Sequence, residues 1–206
     1  IYDSNGAAIG EGTAALAAYG DILQRAASLS GVVPQIALVL GPCAGLSAMM
    51  ACSADFVVMG EGAELFVNTT SAGEAASATA AAKAGVAHIT GSETEVLQKV
   101  RTLLGRLPLN NLASAPISDY MDPDGTEDAL RAACENIAGA DMATVVPGIA
   151  DAGSALELLG AFGDGAYTAI ATLAGYPCGI VAAEGLLSSD ACAKIAKVVS
   201  VCDAYQ

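Results

Sequence analysis

The sequence has no tryptophan, three phenylalanines and a single histidine, His88, among 206 residues. Few aromatic platforms are therefore available for stacking bases, and neither a histidine-based metal cage nor a histidine relay can be assembled. Positive charge is scarce too. Eight Lys and Arg stand against 22 Asp and Glu, giving a net charge of −14 and a pI near 4.1, which argues against nucleic acid or an anionic membrane as partner. A phosphate-bearing ligand would need a local exception. Arg101, Arg106, Lys194 and Lys197 are the cations best placed for one, although Arg101 and both lysines read as exposed helical positions. The six cysteines, Cys43, Cys52, Cys134, Cys178, Cys192 and Cys202, include no C-x-x-C pair and read as reduced, small core residues. No metal is expected. The opening Ile1-Tyr2-Asp3-Ser4-Asn5-Gly6 lacks a basic segment followed by an apolar one, so a cytoplasmic setting is expected.

What the chain does have is apolar material: 54% hydrophobic residues against 15% charged, enough for a sizeable core. Ala26 to Ala54 carries no Asp, Glu, Lys or Arg, yet Ser30-Gly31-Val32-Val33-Pro34-Gln35 and Gly41-Pro42-Cys43-Ala44-Gly45 interrupt it, so membrane insertion is not expected. Between those turns, Ile36 to Leu40 has the pattern of a parallel strand covered on both faces. Helical spacing over Glu11 to Ser28 precedes it. Leu46 to Cys52 reads as a helix, Phe56 to Met59 and Glu64 to Val67 as strands, and Thr69 to Ala84 as a mobile loop or a thin helix. Ser92-Glu93-Thr94-Glu95 forms a capping box before an amphipathic helix that ends ahead of Pro108. The Pro- and Asn/Asp-rich stretch Leu107 to Gly125 reads as a linker. Thr126 caps a further helix to about Ala138, Tyr167 to Leu173 and Gly179 to Ala183 read as strands joined by Ala174-Gly175-Tyr176-Pro177, and Ser188 or Ser189 caps a last helix to Ala204. Alternating strands and helices indicate an α/β layer fold.

Two strand-to-helix turns near the N-terminus could carry chemistry, Asp3-Ser4-Asn5-Gly6-Ala7 and Gly41-Pro42-Cys43-Ala44-Gly45. Backbone N–H groups at such turns lack intrahelical partners, and two converging turns can hold an anion or an oxyanion. Neither turn matches a Walker loop or a dinucleotide fingerprint. A rival reading takes Cys43, at a helix start that would lower its pKa, or Ser47 as a nucleophile with His88 as base. Both residues also fit as inert packing.

Taken in order, these motifs resemble the carboxyltransferases of biotin-dependent acyl-CoA carboxylases and decarboxylases. Asp3 to Gly12 is similar to their Asp-Ser-Gly-Gly-Ala-Arg-Ile-Gln-Glu-Gly segment. Ser30 to Gly45 is similar to Ser-Gly-Val-Ile-Pro-Gln, a strand and Gly-Pro-Cys-Ala-Gly-Gly. Asp55-Phe56, Leu65-Phe66-Val67, Gly85-Val86-Ala87-His88, Leu107-Pro108-Leu109-Asn110-Asn111 and Val201-Cys202-Asp203-Ala204-Tyr205 follow in the same register. Three departures stand out: Leu46 in place of the second glycine of the pair, and Asn5 and Ala8 in place of a glycine and an arginine.

The resemblance implies a crotonase-like (ClpP/crotonase) α/β superhelix, one partial domain of a two-half carboxyltransferase. Residues 1–185 correspond to the N-terminal half and 186–206 to the start of the second. It implies a thioester enolate stabilised by backbone amides, with Gly45 and Leu46 in one turn and Gly6 and Ala7 in the other as the site residues. It further implies acyl-CoA as substrate, carboxybiotin on a biotin carboxyl carrier protein as donor or acceptor, and a homodimer or larger homo-oligomer. The alternatives are a crotonase-fold serine or cysteine hydrolase, of Clp-peptidase or thioesterase type, and a catalytically silent carboxylase subunit.

Overall fold

The computed structural model describes residues 1–123 and 141–206, and between them only Asp128, Arg131 and Glu135. The expected helix from Thr126 to Ala138, the end of the Asp122–Gly125 turn, and Cys134 lie outside the described residues. The chain groups into two compact units, Ile1–Val100 and Arg101–Gln206.

The first unit is built on a parallel sheet. Its strands are β1 (Tyr2–Ser4), β2 (Ile36–Ala44), β3 (Phe56–Gly60), β4 (Glu64–Phe66) and β5 (Ile89–Gly91), in the order β1-β2-β3-β5 with β4 also paired to β2. Strand β2 serves three neighbours. Ile36 to Val39 pair with Phe56 to Met59, and Pro42 to Ala44 pair with Glu64 to Phe66, so one long strand bridges β3 and β4. The expected strand therefore continues through Gly41-Pro42-Cys43-Ala44, and only Gly45 turns the chain. Two features let it pass. Gly41 leaves room for the Asp3 carboxylate, since a Cβ there would lie 2.1 Å from its Oδ1. Across the stretch that holds Pro42, which has no N–H to offer, the β1–β2 register slips, from Tyr2 opposite Val39 to Ser4 opposite Cys43.

All five residues of β3 are buried, as a central parallel strand covered on both faces requires. Helices α1 (Thr13–Leu29), α2 (Leu46–Cys52) and α3 (Ala78–Lys83) belong to this unit. The stretch expected to be a loop or thin helix holds two 3-10 turns and α3, capped by Ser77, whose Oγ accepts from Ala80 N–H. Alanine explains the close packing. Ala48, Ala51, Ala78, Ala81 and Ala82 meet Val39, Cys43, Val57 and Met59 in one cluster, so the helix backbones approach the sheet with little side chain between.

Helix α4 (Glu93–Leu104) begins with the expected box: Ser92 N–H donates to Glu95 Oε2 at 2.8 Å and Glu95 N–H to Ser92 Oγ at 3.4 Å. The second unit holds α5 (Met142–Ile149), β6 (Leu156–Glu157), β7 (Ala166–Leu173), β8 (Tyr176–Ala183) and α6 (Ser189–Tyr205). Strands β6, β7 and β8 form an antiparallel sheet, and Met142, Val145 and Val146 pack on Tyr167 and Ala169. The β7–β8 turn is shorter than expected. Ala174 and Gly175, at φ 52° and 82°, make a two-residue hairpin of the primed kind, and Tyr176 and Pro177 already belong to β8. Residues 107 to 123 contain no helix or strand, but they are no free linker, because Ser118 N–H donates to Gly175 O at 2.9 Å within the second unit. No helix among the described residues is long and apolar enough to cross a membrane.

Candidate functional site

Because β1 and β2 are parallel neighbours with Ser4 opposite Cys43, the turns that follow them leave the carboxyl edge of the sheet side by side. That edge is where open α/β sheets bind ligands. The first turn is pressed against the second. Gly6, at φ 95°, sits where a Cβ would lie 2.9 Å from the carbonyl oxygen of Ala44, the residue just before Gly45. Gly45, at φ 61° and ψ −127°, caps α2 without a side-chain hydrogen bond, so the helix start presents bare backbone.

The four expected site residues divide in a regular way. In each turn the glycine amide is engaged: Gly6 N–H donates to Ser4 Oγ at 3.2 Å, and Gly45 N–H to Phe66 O at 2.9 Å. The next amide in each turn is open. Those of Ala7 and Leu46 have no acceptor among the described residues, and both residues are half-buried. In both turns the glycine amide is tied and the open amide is the next one, that of Ala7 or of Leu46.

The nucleophiles of the rival reading are differently placed. Cys43 lies inside β2 and not at a helix start. Its side chain is fully buried in the sheet core, and burial first, with the neighbouring Cys52 second, pushes the thiol up to about 11, so the expected lowering by a helix dipole is overturned. Ser47 is buried on α2 with its Oγ 2.9 Å from the Tyr19 hydroxyl. His88 stands just before β5, where its N–H donates to Val57 O at 2.8 Å and its Nδ1 accepts Val57 N–H at 3.0 Å. A doubly protonated ring would lose the second bond. His88 is a ladder extension, packed edge-on against Phe56 with ring centres 5.7 Å apart. Both of these bonds run to β3, and neither involves Ser47 or Cys43.

Several other residues behave differently from their sequence reading. Lys194, expected on an exposed helix face, is 2% exposed and donates from Nζ to Ala166 O at 2.7 Å. Its ammonium is held below the ordinary lysine range chiefly by burial. Arg106 is half-buried and donates to Ile170 O at 2.9 Å. Of the described cysteines, Cys52 and Cys192 are exposed and Cys178 and Cys202 half-buried, so only Cys43 is the core residue expected of all six. Two polar anchors have no local signature in the sequence. The buried Asp151 carboxylate accepts Ala174 N–H at 2.8 Å and Gly175 N–H at 2.7 Å, and Tyr19 holds Ser47. Tyr19 was legible only as one more apolar helical position.

Comparison with known proteins identifies the family and the fold. Residues 1–206 match the carboxyl transferase domain family. The chain is 34% identical over 228 residues to the propionyl-CoA carboxylase beta chain of Roseobacter denitrificans, covering all of this chain and 45% of that protein. It is 33% identical over 235 residues to the propionyl-CoA carboxylase beta chain of Saccharopolyspora erythraea, covering all of this chain and 43% of that one. A solved transcarboxylase 12S structure, described as a hexamer assembly with methylmalonyl-coenzyme A and methylmalonic acid bound, superposes at a TM-score of 0.89 with 31% identity, over 99% of this chain and 44% of that one. The fold is therefore the crotonase-like α/β fold that the motifs implied, and the chain spans about half the length of the curated relatives it matches. On a family match that runs over residues 1–206, the chain belongs to the carboxyl transferase domain family.

Proposed function

We propose that this chain supplies the acyl-CoA half of a biotin-dependent acyl-CoA carboxyltransferase site, with Ala7 N–H and Leu46 N–H as the oxyanion donors. The observation that carries the reading is the pairing of the two turns: Ser4 opposite Cys43, Gly6 against Ala44 O, and one unengaged amide following each glycine. A carbanion at the α-carbon of a thioester places negative charge on the thioester oxygen. Two preorganised amides aimed at that oxygen stabilise the enolate without titrating, at about 3 kcal/mol for each donor. The donor set fits such a group, since both are neutral and the buried Cys43 thiol behind them stays protonated. Carboxybiotin, on a carrier protein, supplies or takes up the carboxyl group when present. Glycines at positions 6 and 45 keep the turns close, and the Leu46 side chain, standing where the Gly-Pro-Cys-Ala-Gly-Gly motif that the turn resembles has its last glycine, narrows the site.

Residues 1–185 then serve as the N-terminal half and 186–206 as the beginning of the second, and the remainder of a second half, on this polypeptide or on another, completes the site. Self-association is supported by the apolar side chains that α1 leaves exposed, Leu16, Ile22 and Leu29, and by the hexamer described for the transcarboxylase relative. The direct test is to incubate the protein with free biotin and malonyl-CoA or methylmalonyl-CoA and follow release of CO2. Biotin-dependent decarboxylation is expected. Its absence with every short acyl-CoA would remove the reading.

A further inference from the structure

The Leu46 amide is only as well placed as the helix it opens, and α2 is poorly equipped to hold itself. It has seven residues, a glycine at its N-cap and no side-chain cap, and a helix this short gains its stability from tertiary contacts. Among the described residues, two polar ties reach its first turn from outside. One is Gly45 N–H on Phe66 O at 2.9 Å. The other is the Tyr19 hydroxyl, from the middle of α1, 2.9 Å from Ser47 Oγ. Ser47 is 4% exposed and directly follows the donor residue. The phenol is half-buried on a helix whose one buried residue is Ala15, so the pair is a specific contact and not part of a broad apolar interface.

We infer that Tyr19 and Ser47 form a clasp that fixes the oxyanion amide of Leu46, making Tyr19 a positioning residue for the reaction; this rests on the carboxyltransferase reading above. The hydroxyl pair sets the azimuth of the α2 N-terminus relative to the Gly6–Ala7 turn. An oxyanion donor displaced by a fraction of an ångström weakens in the transition state far more than in the ground state.

The test compares wild type, Tyr19→Phe, Ser47→Ala and the double variant in the whole protein. Each single change is expected to lower kcat about tenfold while KM stays within about twofold, and the double variant is expected to be no worse than either single one, because both remove the same bond. Hydrogen exchange read by mass spectrometry gives a second measurement that does not depend on turnover. Peptides covering 45–52 should exchange several-fold faster in each single variant, with the rest of the protein unchanged. An active wild type whose variants keep their kcat, raise KM instead, or show additive losses overturns the clasp, as does unchanged exchange at 45–52. A wild type without acyl-CoA turnover that still shows the exchange difference overturns the carboxyltransferase reading and with it the catalytic role of Tyr19.

Discussion

The carbonyl oxygen of Ala44 occupies the space in which a side chain on Gly6 would begin, at 2.9 Å from the ideal Cβ position. The two turns of the candidate site are therefore in contact, and the spacing of the Ala7 and Leu46 amides is set by backbone against backbone. A φ of 95° at Gly6 adds a second demand that only glycine meets readily. Gly6→Val should destabilise the protein by about 2 kcal/mol through backbone strain and, on the proposed carboxyltransferase function, lower kcat on acyl-CoA roughly 100-fold by moving the Ala7 and Leu46 amides apart. Thermal denaturation and steady-state turnover read the two effects separately. Turnover near the wild-type level in a folded Gly6→Val variant would show that the first turn contributes no donor.

The hairpin of the second unit allows a gain. Ala174 is exposed and sits at φ 52°, a left-handed conformation that alanine tolerates poorly and asparagine well. Ala174→Asn creates the Asn-Gly pair favoured in primed turns and leaves both amides on Asp151, so a rise in Tm of roughly 2–4 °C is expected, for about 1 kcal/mol. Gly175→Ala should act the other way. Its Cβ would lie 2.2 Å from Ser118 O, at φ 82°, and the 118 loop would have to move. Differential scanning calorimetry of the two variants decides the matter, and a Tm for Gly175→Ala equal to wild type would refute the packing described.

Much of this was legible from residues alone, for identifiable reasons. Apolar runs between turns marked β2 and β3, and capping chemistry marked α4 and α6, because both signals are local. The turns of the candidate site were legible through glycine. What sequence could not supply was anything fixed by pairing across the chain. Gly41-Pro42 reads as a turn until β1 and β4 are seen to flank it. Lys194 reads as a solvated helix residue until Ala166 O is seen above it, and Cys43 reads as a possible thiolate until β2 carries it into the core. Which amide in each turn stays open depends on Ser4 Oγ and Phe66 O, and no spacing rule names those acceptors.

Cys43 should be chemically silent. With its pKa pushed up to about 11, the thiolate fraction at pH 8 is about one in a thousand, whereas Cys52 and Cys192 are exposed. Iodoacetamide at pH 8 should modify Cys52 and Cys192 within minutes and leave Cys43 untouched in the folded protein. Cys43→Ala should cost about 1 kcal/mol in stability through the lost sulfur packing and keep kcat/KM within about threefold. Rapid labelling of Cys43, or lost turnover in a folded Cys43→Ala protein, would return the thiolate mechanism to consideration.

Lys194 gives the protein a pH dependence of definite sign. Burial, the largest influence, holds its pKa below the ordinary 10.5, and Glu157 and Asp164 oppose that only in part. Between the depressed folded value and 10.5, the unfolded chain binds a proton that the folded chain has released. Where the unfolded state binds more protons, stability rises with pH, so the cost of burying the ammonium is full below this window and is relieved as pH climbs through it. Lys194→Met keeps the length of the stem and removes the charge, while leaving Ala166 O without its donor at a pH-independent cost of about 1–3 kcal/mol. Urea denaturation of both proteins at pH 7 and at pH 10, each pair compared at the same pH, cancels the titration of the tyrosines and cysteines common to both. Wild type should gain on Lys194→Met as pH rises, and a difference that is constant or shrinks toward pH 10 would mean that the ammonium is not desolvated in the folded protein.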